Sequence, residues 1–174
     1  MYKHLLLSIV LSITVLSAYA TPSWKINSKG GIEWKIEKGQ LHHKDHIEMS
    51  GEQMAFVLRW GIDANGALDL ERSLVFPLLR TIPNNTHASL MHRFATDVIS
   101  LVSVNGRSLQ NENTRLIEID GMFRSISEFG GGIEVERVIF PSVDKPFMCE
   151  RYVFKNTNKR TSTVYVPDFI QKYT

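Results

Sequence analysis

The chain has 174 residues, a formal net charge of +2 and 22% charged residues. Because its acidic and basic residues are interleaved, the charge pattern gives no reason to expect binding to nucleic acid or to a membrane surface. The single cysteine, Cys149, excludes an intramolecular disulfide, and its apolar neighbours predict a small core residue.

The N-terminal segment has the three parts of a secretory signal peptide. Lys3 and His4 form a polar start, residues 5–16 form an apolar core, and Ala18-Tyr19-Ala20 forms a small-x-small cleavage site. The apolar core is shorter than the roughly 20 residues that span a bilayer, so cleavage is favoured over an uncleaved anchor. We therefore predict a signal peptide over residues 1–20, one exported domain over residues 21–174 and no membrane association after cleavage.

Beyond residue 20, apolar and polar residues alternate wherever a period is legible. Ile32, Trp34 and Ile36 point to one side, and the charged residues between them point to the other. This alternation predicts strands with one buried face. Turn-forming residues separate the strands, and Asn65-Gly66 predicts a tight type I′ hairpin turn because both residues tolerate positive φ.

The alternating runs and turns together predict an all-β fold. In chain order, we expect strands near residues 23–28, 31–37, 45–50, 53–62, 67–76, 98–104, 114–120, 122–129, 133–141, 147–155 and 161–166. Short strands at a spacing of roughly ten residues are typical of sandwiches and barrels.

A long polar segment after the fifth predicted strand is our preferred binding loop. Its side chains that can hydrogen-bond a sugar hydroxyl are Arg80, Asn84, Asn85 and His87. The segment lies within residues 77–94, where two prolines interrupt a strand ladder, so we interpret this region as a long excursion between strands. A structural crossover is the alternative.

Three tryptophans are candidates for stacking on a sugar ring. Trp34 shares a face with two isoleucines, which favours a core position. Trp60, which follows Arg59, is the preferred contact to carbohydrate or to another domain. Trp24 is the third candidate.

A histidine-rich segment contains potential metal ligands, but its pattern favours a structural role. The densest group of potential metal ligands is His42, His43, Asp45, His46 and Glu48. Neighbouring side chains of an extended segment point to opposite sides, whereas zinc needs three or four converging ligands, so a polar turn is favoured and no metal is predicted.

Glu134 and Glu136 are a candidate catalytic pair of carboxylates. They would lie about 7 Å apart along a strand, within the range of glycosidase carboxylates. Alternating acidic residues are also the ordinary solvent face of a strand, and we assign no catalytic residue here.

The C-terminal third carries a family resemblance. Its motifs are Val135–Ser142 with a Phe-Pro turn, Pro146–Phe154, Asn156-Thr157-Asn158 and Thr163–Val166. This run resembles the N-terminal super-sandwich of glycoside hydrolases. With residues 69–72 and 76–81, the mature chain is similar to the front domain of exported bacterial six-hairpin glycosidases, which have an (α/α)6 catalytic barrel.

The resemblance implies an antiparallel β-sandwich in the periplasm or outside the cell. In that family the catalytic carboxylates lie on the barrel, so the resemblance implies an accessory domain or truncated fragment without catalytic residues or cofactor, whose partners are carbohydrate or a C-terminal barrel. A free-standing secreted carbohydrate-binding module and an envelope structural module remain as alternatives.

Overall fold

The computed structural model describes residues 23–37, 43–80, 82 and 89–167. The predicted signal peptide lies outside these residues. Within them, the strands are β1 Lys25–Ile26, β2 Ile32–Lys35, β3 His43–Ser50, β4 Ala55–Ile62, β5 Leu68–Arg80, β6 Ser89–Phe94, β7 Ser103–Val104, β8 Arg107–Ser108, β9 Asn113–Ile119, β10 Phe123–Phe129, β11 Ile133–Pro141, β12 Met148–Asn156 and β13 Val164–Tyr165. None of the described helical residues forms a segment long and apolar enough to cross a membrane.

All the strand pairs are antiparallel, and the strands form two main sheets. The larger sheet has the order β1-β2-β9-β10-β11-β12, and the smaller has the order β3-β4-β5-β6. A small third sheet has the order β13-β7-β8. The prediction of an all-β antiparallel fold is confirmed.

The two main sheets pack face to face through one apolar core. Trp34, Ile117 and Phe123 contribute from the larger sheet, and Phe56 and Leu58 contribute from the smaller. All five are fully buried because alternate residues of each strand point to the same face. The arrangement is that of a β-sandwich.

A second apolar cluster lies further along the larger sheet, and charged residues separate it from the main core. Its buried members are Ile99, Phe129, Ile133 and Val135. Along β11, Arg137 stands between Val135 of this cluster and Ile139 of the main core, and it is fully buried. Arg72 of β5 is buried to the same degree. We call the side chains around these two arginines the polar layer.

Two of the predicted elements are wrong. Residues 98–104 form a 3₁₀ turn, Val98–Leu101, and the two-residue strand β7, because Asp97 caps the turn by accepting a hydrogen bond from the Ile99 backbone N–H. The predicted excursion over residues 77–94 contains the end of β5 and all of β6. Pro77 is tolerated because the register shifts between Phe76 and Arg80, which removes the need for a ladder N–H there.

The tight turns also differ from prediction. Only Gly66 of the Asn65-Gly66 pair has positive φ, so the type I′ turn predicted there is wrong. The Asp63 carboxylate instead accepts hydrogen bonds from the Asn65 and Ala67 N–H groups, which closes a wider turn and lowers the pKa of Asp63. Positive φ at two successive residues occurs at Asn105 (52°) and Gly106 (74°), as a type I′ turn requires.

Cys149 is half-buried in β12 and carries a free thiol. It pairs with Phe140 across β11 and lies outside both apolar clusters. The predicted core position is therefore wrong for this residue.

Candidate functional site

Trp60 lies in the core rather than on the surface. Its side chain is 2% exposed, and its ring centroid lies 6.3 Å from that of Trp34 and 5.8 Å from that of Phe123. Trp24 covers it at 6.2 Å in an edge-on arrangement. A buried ring offers no face to a sugar or another domain, so the predicted contact role of Trp60 is corrected. Trp34 is fully buried, as predicted.

Of the four residues named in the preferred binding loop, the structure describes only Arg80. Arg80 ends β5, where its backbone pairs with Ser89. Asn84, Asn85 and His87 lie outside the described residues. Their prediction as carbohydrate contacts stays a prediction.

The histidine-rich segment becomes strand β3, apart from His42, which lies outside the described residues. His43 packs against Trp34 and Trp60 with both ring centroids at 5.1 Å, and its Nε2 lies 3.6 Å from an oxygen of Asp45. His46 is exposed beside the same carboxylate. Within the described ranges, no group of three metal-binding side chains converges.

Glu134 and Glu136 lie on the outer face of the larger sheet, where each is held in ion pairs. Glu134 accepts a hydrogen bond from Lys155 at 3.1 Å. Glu136 accepts from Arg124 at 2.7 Å and from Arg151 at 2.8 Å. Arg124 also donates to Glu118 at 2.5 Å, which makes a chain of charges across four strands. This arrangement stabilises the outer face of the sheet, because every carboxylate in it has a cationic neighbour.

The polar layer joins the two main sheets through the interior. The Arg72 guanidinium of β5 donates to both carboxylate oxygens of Glu150 on β12, with Nη2 at 2.9 Å from Oε2. Burial alone would lower the pKa of Arg72, but the hydrogen bond and charge of Glu150 hold it above its usual value. The Tyr152 hydroxyl donates to the same carboxylate. Burial, and then Glu150, raise the pKa of Tyr152.

The second arginine of the polar layer is held by two loop carboxylates and by Ser127 of β10. Arg137 Nη1 donates to Glu112 at 2.7 Å and to Ser127 at 3.2 Å, and Nη2 lies 3.6 Å from Asp97. Both arginines of the polar layer occur in the motifs on which the family resemblance rests. Both side chains are fully buried and held in ion pairs, which gives them a structural role in joining the strands around them.

An apolar cleft of about 510 Å³ lies where β6 meets the turn before β12, and we call it the apolar groove. Leu74, Leu90 and Phe94 line it from the smaller sheet, and Phe147 and Met148 line it from the other side. These positions follow the inward-facing alternation of β5 and β6, since Leu74 pairs with His92 and Phe76 with Leu90. The groove is therefore an extension of the core-facing side of the sheet.

A second cleft, of about 490 Å³, lies at the loop end of the sandwich, and we call it the loop pocket. It is lined by the turn around Asn105, the segment Leu109–Asn111 and the turn Gly130–Gly131. Asn105-Gly106 and Gly130-Gly131-Gly132 are turn-forming residues in the sequence, but no local pattern indicates that the two turns lie side by side. Strand order brings them together, because β10 ends and β11 begins at this pole, next to the short strands β7 and β8.

The chain matches no protein-family model, no curated protein and no solved structure.

Proposed function

We propose that this chain is an accessory β-sandwich domain of an exported glycoside hydrolase and that it docks against a helical catalytic domain through the apolar groove. The observation that carries the proposal is the groove itself. The sequence resemblance supplies the family, and the groove supplies the surface that such a domain would need.

The groove has the character of an interface centre. Leu90 is 40% exposed and Phe147 is 51% exposed, and both line the groove. Exposed apolar clusters of this kind mark interaction surfaces, because leaving them in water costs about 25 cal/mol per Å². Interfaces between domains of one protein commonly bury roughly 600–1,500 Å². An apolar groove is suited to form the centre of such an interface.

The accessory role also fits the ion pairing of the glutamates on the larger sheet. Glycoside hydrolysis needs one protonated carboxylic acid and one free carboxylate across the sugar. Glu118, Glu134, Glu136 and Glu150 are all held in ion pairs, and none lines the groove. In this proposal the helical domain provides the catalytic carboxylates, and the sandwich packs against that domain and stabilises it.

The first test is to translate the genomic DNA beyond the codon for Thr174 in all three forward frames. We expect several hundred further residues with paired-helix periodicity. A genuine stop followed by unrelated sequence would overturn the proposal and promote the free-standing binding module.

The second test uses the product of the complete reading frame. If the groove is the docking surface, calorimetry shows one coupled unfolding transition, and the double substitution Leu90→Ser and Phe147→Ser splits it in two. Val153→Ser is the matched control, because Val153 is 44% exposed on the outer face of β12 and lies outside the groove. If the double variant and the control unfold in the same number of transitions, docking through the groove is contradicted.

A further inference from the structure

The loop pocket has an apolar floor and a polar rim. Val104, Leu109 and Ile133 form the floor, and all three belong to or pack against the second apolar cluster. The rim consists of polar side chains and bare glycine backbone from the surrounding turns. A sugar ring has the same division, with an apolar C–H face and hydroxyls at its edge.

The turns that form the pocket are held in place by backbone hydrogen bonds. Gly130 N–H donates to the Gln110 carbonyl at 2.9 Å, which joins the two sides of the pocket. Asn105 and Thr163 exchange two hydrogen bonds of 2.9 Å, one through the Asn105 side-chain oxygen. A pocket built from tied turns needs little ordering when a ligand binds, which lowers the entropic cost of association.

The polar groups of the rim are available to a ligand. Arg107, Ser108, Gln110 and Asn111 make no side-chain hydrogen bond or ion pair with any residue that the structure describes. This differs from the outer face of the larger sheet, where the charged groups satisfy one another. Asn111 has a φ of 56°, in the left-handed region that asparagine adopts more readily than most residues.

The charge of the pocket selects the kind of sugar. Arg107 is the one charged residue that lines the cleft within the described part of the chain, and no carboxylate there opposes it. A guanidinium binds a carboxylate through two parallel hydrogen bonds. A carboxylated sugar would therefore gain an interaction that a neutral hexose lacks.

We propose that the loop pocket binds a pyranose that carries a carboxylate, with its apolar face on Val104, Leu109 and Ile133 and its carboxylate on Arg107. Gln110 and Asn111 provide planar amide groups for the ring hydroxyls. The site is separate from the apolar groove and shares no lining residue with it. The inference goes beyond docking and requires no catalytic domain.

The test is a titration of the full-length ¹⁵N-labelled chain with D-glucuronate and, separately, with D-glucose, followed by amide chemical shifts. We expect saturable shifts at Leu109, Asn111, Gly130 and Gly131, with tighter binding of glucuronate. Arg107→Gln should weaken glucuronate binding about tenfold, the loss expected for a charged hydrogen bond, and leave glucose binding unchanged. Gln110→Ala should weaken binding of both sugars.

Arg93→Gln is the matched control, because Arg93 is an exposed arginine of β6 outside the pocket. It should leave both affinities unchanged. The proposal is overturned if neither sugar gives saturable shifts, if the shifts map elsewhere, or if Arg107→Gln leaves glucuronate binding intact in a chain with a native spectrum. Because the titration uses this chain alone, its failure is distinct from failure of the docking test.

Discussion

Arg72 and Glu150 are 78 residues apart in the chain and form a two-point ion pair across the sandwich interior. Arg72 belongs to the smaller sheet and Glu150 to the larger, so the pair fixes the position of one sheet on the other. The Arg72 side chain is fully buried, and that of Glu150 is 10% exposed. Water therefore screens the pair little, and each buried charge is compensated mainly by the other.

Glu150→Gln should destabilise the fold by about 3–5 kcal/mol, because it leaves the buried Arg72 guanidinium without a counter-charge. The free energy of unfolding in urea measures the loss. Glu71→Gln is the matched control: Glu71 pairs with Arg59 at 2.8 Å, but both side chains are nearly half exposed, so the loss should stay under about 1 kcal/mol. Equal losses for the two substitutions would contradict the assignment of Glu150 as a buried partner.

Replacing both partners separates the cost of an unpaired charge from the value of the pair. The double substitution Arg72→Met and Glu150→Leu should recover most of the stability lost in Glu150→Gln, because apolar side chains of similar volume need no counter-charge. The same urea titration measures the recovery. A double variant less stable than Glu150→Gln would show that the pair contributes net stability.

Tyr152 should make the fold sensitive to alkali. Its folded-state pKa is raised, so the unfolded chain releases the tyrosine proton near pH 10, as free tyrosine does, while the folded chain retains it. Stability from this group is therefore full below about pH 10 and falls as the pH rises above that value. Tyr152→Phe should remove this part of the decline.

The measurement is the free energy of unfolding between pH 8 and pH 11 for the parent chain and Tyr152→Phe. At pH 8 the variant should be less stable by about 1.5–3 kcal/mol, because Glu150 loses a hydrogen bond. The difference between the two proteins should shrink as the pH rises. A constant difference across this range would contradict a raised pKa at Tyr152.

Trp60 should behave as a core residue. Trp60→Ala should cost about 3–5 kcal/mol in unfolding free energy, the usual loss for a large buried aromatic. Trp60→Phe should cost much less, because the indole N–H has no partner among the described residues and its loss removes no hydrogen bond. A loss under about 0.5 kcal/mol for Trp60→Ala would place the ring on the surface after all.

Gly51 should tolerate no side chain. A Cβ built there would lie 2.0 Å from the Ser142 carbonyl oxygen, and backbone on both sides has to move to relieve the contact. Gly51→Ala should therefore cost about 1–3 kcal/mol or more. Gly106→Ala gives a useful comparison, because Gly106 has open space and a φ of +74°, so its cost of about 1 kcal/mol should be conformational only.

Local patterns in the sequence were sufficient for most of the strands. Alternation predicted β2, in which Trp34 is buried as expected while Ile32 at the strand start is 39% exposed. Most long strands lie where alternation or turn residues predicted them, and β6 is the exception. The signal for Trp60 was also present, because it continues the two-residue period of Phe56 and Leu58 in β4. Alternation of apolar and polar residues with a period of two residues indicates a strand with one buried face, because successive side chains of a strand point to opposite faces.

The tertiary structure alone decided which buried faces meet and which turns become neighbours. The pairing of β2 with β9, the ion pair of Arg72 with Glu150 and the approach of Gly130 to Gln110 all join residues far apart in the chain. Such contacts depend on strand order and sheet packing, which short-range periodicity does not encode. The sequence by itself therefore determined the all-β class and most of the strands, whereas the polar layer, the apolar groove and the loop pocket arose only from the packing of distant strands.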